Sequence, residues 1–187
     1  EAYAGSRISE QAYAEDTSST LDFGAAQNLV CEPLIGAFAK GYSHSVFWIR
    51  LKIDPQPTKK LSKIIDNALI LRVRPPYLRE IEVFDSKNPT AQRRLSGDLY
   101  PSSNDEYRSF NLNFVLEHKD VPQEVYLRLK TSSSTMSFFE AYSLDELQTL
   151  DQDQIIFFCV YILLLFFTLI IASIVFILER DRLFAVY

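Results

Sequence analysis

Two pairs, Trp48-x-Arg50 and Tyr126-x-Arg128, together with Arg72, are the residues whose types and spacing suit molecular recognition. An aromatic ring stacks on the C–H face of a sugar or on a cation, while a planar guanidinium donates paired hydrogen bonds to hydroxyl or anionic oxygens. On a strand, a spacing of two puts both members of a pair on the same side. These residue types also decorate solvated sheet faces, and a tryptophan can cover a sheet beneath a loop, so both readings stand at this level.

Other chemistries are poorly provided for. No G-x-S-x-G elbow, phosphate-binding loop or Gly-rich dinucleotide turn occurs. A glycosidase needs two carboxylates flanking a cleft, and Glu80 and Glu82 share a strand face, yet like charges two apart on a strand usually face solvent. This stretch is therefore not expected to be an enzyme. His44 and His118 stand alone, and no Cys, His and carboxylate grouping has metal-ligand spacing. No cofactor is expected, although a calcium ion held by loop oxygens stays open. Gly97-Asp98 reads as a turn, both residues being turn formers. Cys31 lies in a polar stretch and Cys159 inside an apolar block, so no disulfide is expected between them. The net charge of −5 gives no basic surface for a phosphate backbone, which sets nucleic acid aside.

The elements that must position these side chains read as strands. From Ser45 to Ile53, Phe47, Ile49, Leu51 and Ile53 point one way and Val46, Trp48, Arg50 and Lys52 the other. The split recurs over Ser109–Leu116, with Phe110, Leu112, Phe114 and Leu116 on one side. It recurs over Glu124–Lys130, with Val125, Leu127 and Leu129 inward and Tyr126, Arg128 and Lys130 outward. Leu69, Leu71 and Val73 make a fourth strand opposite Arg72 and Arg74, broken by Pro75-Pro76 before a fifth at Arg79–Asp85. Turn-rich segments at Ser86–Pro89 and Tyr100–Asn104, a hairpin loop at Thr131–Thr135 and the lack of βαβ alternation predict an all-β antiparallel sandwich or jelly roll. A brief helix is expected over Leu21–Gln27 behind Thr20 as N-cap.

At 187 residues the chain holds one such domain and a membrane segment. From Ile155 to Leu178, about 24 uncharged residues would span about 36 Å as a helix, enough to cross a bilayer. Arg180 and Arg182 follow this span, whereas Ser143–Gln154 before it holds Asp145, Glu146, Asp151 and Asp153 and no Lys or Arg. Positive charge stays inside, which places the C-terminus in the cytoplasm. Ser143-Leu144-Asp145-Glu146 fits a capping box opening a helix toward Gln154; if that helix runs into the span, a stiff element joins the sandwich to the bilayer. The expected organisation is a sandwich over 1–142, a juxtamembrane helix over 143–154, a transmembrane helix over 155–178 and the start of a cytoplasmic loop over 179–187.

Gly41-Tyr42-Ser43-His44-Ser45-Val46-Phe47-Trp48-Ile49-Arg50-Leu51, then Gly97-Asp98 followed by Arg108, then Val125-Tyr126-Leu127-Arg128-Leu129, form an ordered set. In this order they resemble the second type of extracellular domain of the bacterial seven-transmembrane receptors with diverse intracellular signalling modules. Arg180–Tyr187 is similar to that family's link from the first to the second membrane helix. The resemblance covers essentially the whole chain. It implies a periplasmic jelly roll akin to carbohydrate-binding modules, on a seven-helix bundle in the bacterial inner membrane, with a diguanylate cyclase or histidine kinase as output. Six helices and that output would then follow Tyr187. The expected partners are a small ligand such as a carbohydrate or a polar anion, the lipid bilayer and, for the full receptor, a second copy. The competing expectation is an anchored domain that contacts another envelope protein and binds no small ligand.

Overall fold

The computed structural model describes residues 7–55, 69–85, 93–101, 105–116, 121–131 and 136–179. His118, the Ser86–Pro89 turn, the tips of the Tyr100–Asn104 and Thr131–Thr135 loops, and Arg180 and Arg182 lie outside them. The chain divides into two compact units, 1–147 and 148–187.

The first unit is a sandwich of two antiparallel sheets. Its strands are β1 (Ile8–Asp16), β2 (Glu32–Pro33), β3 (Val46–Ile53), β4 (Leu69–Arg74), β5 (Glu80–Asp85), β6 (Arg94–Ser96), β7 (Leu112–Leu116), β8 (Gln123–Lys130) and β9 (Phe138–Ser143). Six of them form one sheet in the order β2-β1-β3-β8-β5-β6, and three form the other in the order β7-β4-β9. Period-two alternation makes the core. Phe47, Ile49, Leu51 and Ile53 of β3 meet Leu69, Leu71 and Val73 of β4, with Val125, Leu127 and Leu129 of β8 and Phe114 of β7 completing one cluster. Burial of such side chains is worth about 1.5–3 kcal/mol each, which is the main force holding the sheets together.

Three expectations change. β7 starts at Leu112, not Ser109, and Phe110 is exposed, because Ser109 and Asn111 fold back onto Asn113 through its Nδ2, which donates to Ser109 Oγ at 2.7 Å and Asn111 O at 2.9 Å. The short helix α1 covers Phe23–Ala26 and is capped by Asp22, whose Oδ1 accepts from Ala25 N at 2.8 Å; Thr20 is not the cap. Glu80 and Glu82 are not solvated like charges: Arg128 Nη1 donates to Glu80 at 2.9 Å, and Arg93 forks onto the buried Glu82 at 2.6 and 3.1 Å.

Helix α2 (Leu144–Glu179) follows β9 with no intervening residue. The expected capping box forms: Ser143 N and Oγ donate to Glu146 Oε2 at 2.9 and 2.7 Å, and Glu146 N donates back to Ser143 Oγ at 3.4 Å. Leu147, on the first turns, is fully buried with Ile70 and Tyr142 on the outer side of the three-stranded sheet. The helix continues unbroken through the apolar span, whose side chains are exposed from Ile155 to Ile174, the surface a lipid environment requires. Within it the hydroxyls of Thr168 and Ser173 donate to Leu165 O and Leu169 O, both at 2.8 Å, so neither is left unpaired in hydrocarbon.

Candidate functional site

The antiparallel register lines the outward residues of the six-stranded sheet in rows. One row runs Ala14, Trp48, Arg128, Glu82; the next runs Ala12, Arg50, Tyr126, Phe84; a third runs Glu10, Lys52, Glu124. Four of the five residues singled out from the sequence, Trp48, Arg50, Tyr126 and Arg128, are therefore neighbours on one face. Arg72 belongs to the other sheet, is 5 % exposed, and is taken up by Asn111, whose carboxamide oxygen accepts from Arg72 Nε at 3.1 Å once the amide faces it.

The aromatic half of the face is not an open platform. Phe23 of α1 stacks on Phe84 with ring centroids 4.8 Å apart and meets Tyr126 edge-on at 5.4 Å, with Trp48 at 6.5 Å. Trp48 is consequently 1 % exposed, and the expected stacking of a ligand on its ring has no free ring face to use. Asp16 secures this cover. Its Oδ1 accepts from Ser19 N at 2.9 Å and its Oδ2 from Leu21 N at 3.1 Å, fixing the turn that brings the chain into α1. Burial raises the Asp16 pKa, but the bonds from Ser18, Leu21 and Ser19 outweigh it and hold the carboxyl below its usual value.

Beyond the aromatic plug the face opens into a cleft of about 390 Å³, lined among others by Glu10, Ala12, Cys31, Arg50, Lys52 and Glu124. Small-ligand sites commonly start near this size. The small side chain of Ala12 leaves the room, and the stretch around β2 supplies the wall. Lys52 and Glu10 neutralise each other at 2.7 Å, which lowers the carboxyl and raises the ammonium pKa through their hydrogen bond and mutual charge. Arg50 differs. Of the strand arginines, Arg74, Arg94 and Arg128 are each paired with a carboxylate and Arg72 with Asn111, but Arg50 forms no ion pair among the described residues. Its guanidinium bears on the Tyr126 hydroxyl. That phenol is pushed up by burial and by the charge of Glu124, with Arg50 opposing.

Glu124 was not singled out from the sequence as a site residue. It lies two positions before Tyr126, so the same alternation that grouped Tyr126 with Arg128 puts it on that face. The contribution of β1 and of Cys31 carries no sequence signal, because it depends on register across the sheet. Both Cys31 and Cys159 are free thiols.

A second cleft, of about 460 Å³, lies by β6 against Arg93, Arg94, Tyr100 and Phe114. Its charges are already matched: Arg94 forks onto Glu106, Arg93 onto Glu82, and Ser96 Oγ donates to Asp105 at 2.7 Å. Gly97-Asp98 nearby opens a tight turn, with Tyr100 N donating to Gly97 O at 2.9 Å. Among the described residues no group of three or more His, Cys, Asp or Glu side chains is placed to hold a metal ion.

Residues 9–142, nearly the whole sandwich, match the family described as 7TMR-DISM extracellular 2. No curated protein gives a significant match. The domain is thus a sensor and not itself catalytic, and the apolar helix behind it makes the protein membrane-anchored. The chain belongs to the 7TMR-DISM extracellular 2 family, as the periplasmic sensor domain of a membrane receptor.

Proposed function

We propose that the Arg50 cleft binds a small polar ligand, a saccharide or a small anion, and that binding biases a seven-helix bundle in the bacterial inner membrane. The output is a cytoplasmic diguanylate cyclase or histidine kinase module, with the C-terminus of this chain on the cytoplasmic side. The observation that carries the reading is the half-buried guanidinium of Arg50 in a walled cleft, in contact with the Tyr126 hydroxyl but with no carboxylate partner among the described residues. A guanidinium without a carboxylate partner has donors left for a ligand oxygen, whereas Arg128 is committed to Glu80. Trp48 and Tyr126 belong to the aromatic plug beside the cleft, and Arg128 lies in the same row as Trp48, paired with Glu80. The junction of β9 with α2 supports the route of transmission, for which a coupling of about 1–3 kcal/mol suffices.

The test is a thermal-unfolding screen of the detergent-solubilised chain against saccharides and small carboxylates. A compound that raises the midpoint in wild type and not in Arg50→Ala supports the cleft; an equal rise in both removes Arg50 from the site.

A second reading has its own observation: Val30, Ile35 and Tyr42, all on the segment between α1 and β3, are 94 %, 87 % and 84 % exposed. In that reading the domain docks an envelope protein. Serine at all three positions would then abolish the association while Arg50→Ala would not.

A further inference from the structure

We infer that the ligand of the Arg50 cleft is a small zwitterion, a molecule carrying a carboxylate and an ammonium group a few atoms apart, as an α-amino acid does. The inference rests on the reading of this cleft as the ligand site and narrows its chemistry. Four charged side chains line the cleft, two of each sign. Lys52 and Glu10 cancel, which leaves Arg50 and Glu124. Neither of these forms an ion pair among the described residues, and they reach the cleft from adjacent strands.

Their relative position follows from the register. Arg50 is directly opposite Tyr126, and Glu124 is opposite Lys52, so Arg50 and Glu124 are diagonal neighbours on one face. Such positions have backbones about 7–8 Å apart. Side chains as long as these could close that span, yet no ion pair joins Arg50 and Glu124 among the described residues, which leaves room for a small dipolar molecule between the heads. The guanidinium fork matches a carboxylate in paired hydrogen bonds, and the carboxylate of Glu124 attracts an ammonium. A plain anion would meet Glu124 as a like charge, and a plain cation would meet Arg50. A zwitterion satisfies both and leaves the neutral sum of the cleft unchanged.

The experiment is isothermal titration of the full chain in detergent with the proteinogenic L-amino acids, each matched to its 2-hydroxy acid and its amide. Hexoses serve as the neutral comparison. At least one amino acid is expected to bind, with its hydroxy acid and its amide each weaker by tenfold or more. Arg50→Met should lose binding, and Glu124→Gln should erase the preference for the amino acid over the hydroxy acid; unfolding midpoints near wild type show that both variants fold. If the hydroxy acid binds as tightly as the amino acid, or if only hexoses bind, the zwitterion is overturned while the cleft remains the ligand site. If no probe binds, both the zwitterion and the cleft reading fall.

Discussion

The guanidinium of Arg7 and the carboxylate of Glu146 lie 3.1 Å apart, although 139 residues separate them in the chain. Arg7 N also donates to Ala141 O at 3.0 Å, so the segment leading into β1, the end of β9 and the first turn of α2 are fastened at one point. Glu146 serves the capping box and this ion pair with the same carboxylate.

A pH dependence follows. Burial pushes the Glu146 carboxyl up, but the amide and hydroxyl of Ser143 and the charge of Arg7 outweigh it and hold it below the usual value. A carboxyl depressed in the folded state stabilises the fold above its unfolded value, about 4.3 for Glu, and loses that contribution as pH falls through the folded value. Urea unfolding should therefore show wild type more stable than Glu146→Gln at pH 7, by about 1 kcal/mol as for other caps. The gap should shrink below pH 4. A gap independent of pH would show that the carboxylate charge contributes nothing.

Trp48 is the chain's one tryptophan, and its place beneath α1 makes it a structural side chain. Its fluorescence should be poorly quenched by acrylamide in the folded protein and readily quenched in urea. Trp48→Ala should cost about 3–5 kcal/mol of stability, as large-to-small changes in cores do. Strong quenching in the folded state would mean that α1 does not cover the ring.

Gly97 has a φ of 126°, and a Cβ there would sit 2.6 Å from both Leu78 O and Arg79 O. Both neighbours are backbone and cannot swing aside. Gly97→Ala should destabilise the sandwich by roughly 1–3 kcal/mol or more through strain, read as a lowered unfolding midpoint. Asp98→Ala, on the exposed side of the same turn, should stay within about 0.5 kcal/mol of wild type.

Much of this architecture is legible in the sequence where one face of a strand is apolar and the other polar. β3, β4, β5 and β8 show that alternation, as does the capping box at Ser143. β1 does not, because its outward Ala12 and Ala14 are small and covered, which blurs apolar against polar. β9 hides for the opposite reason: both its faces are buried, and the outward Glu140 is there to meet Arg74 at 2.6 Å. The recognition residues were visible as types, but their standing was not. Whether an arginine lacks an ion-pair or amide partner, like Arg50, or is engaged, like Arg72 and Arg128, depends on partners brought from distant segments. The burial of Trp48 likewise follows from Phe23, twenty-five positions away in the sequence numbering.

The proposed route of transmission requires the helix that opens at Leu144 to stay helical into the apolar span. Backbone amide exchange on the full chain in lipid nanodiscs tests it most directly. Protection should run unbroken from Gln148 through Gln154 into the span that begins at Ile155. A window of fast-exchanging amides anywhere between Gln148 and Gln154 would contradict it, since a frayed hinge there could not carry motion from the sandwich to the bilayer.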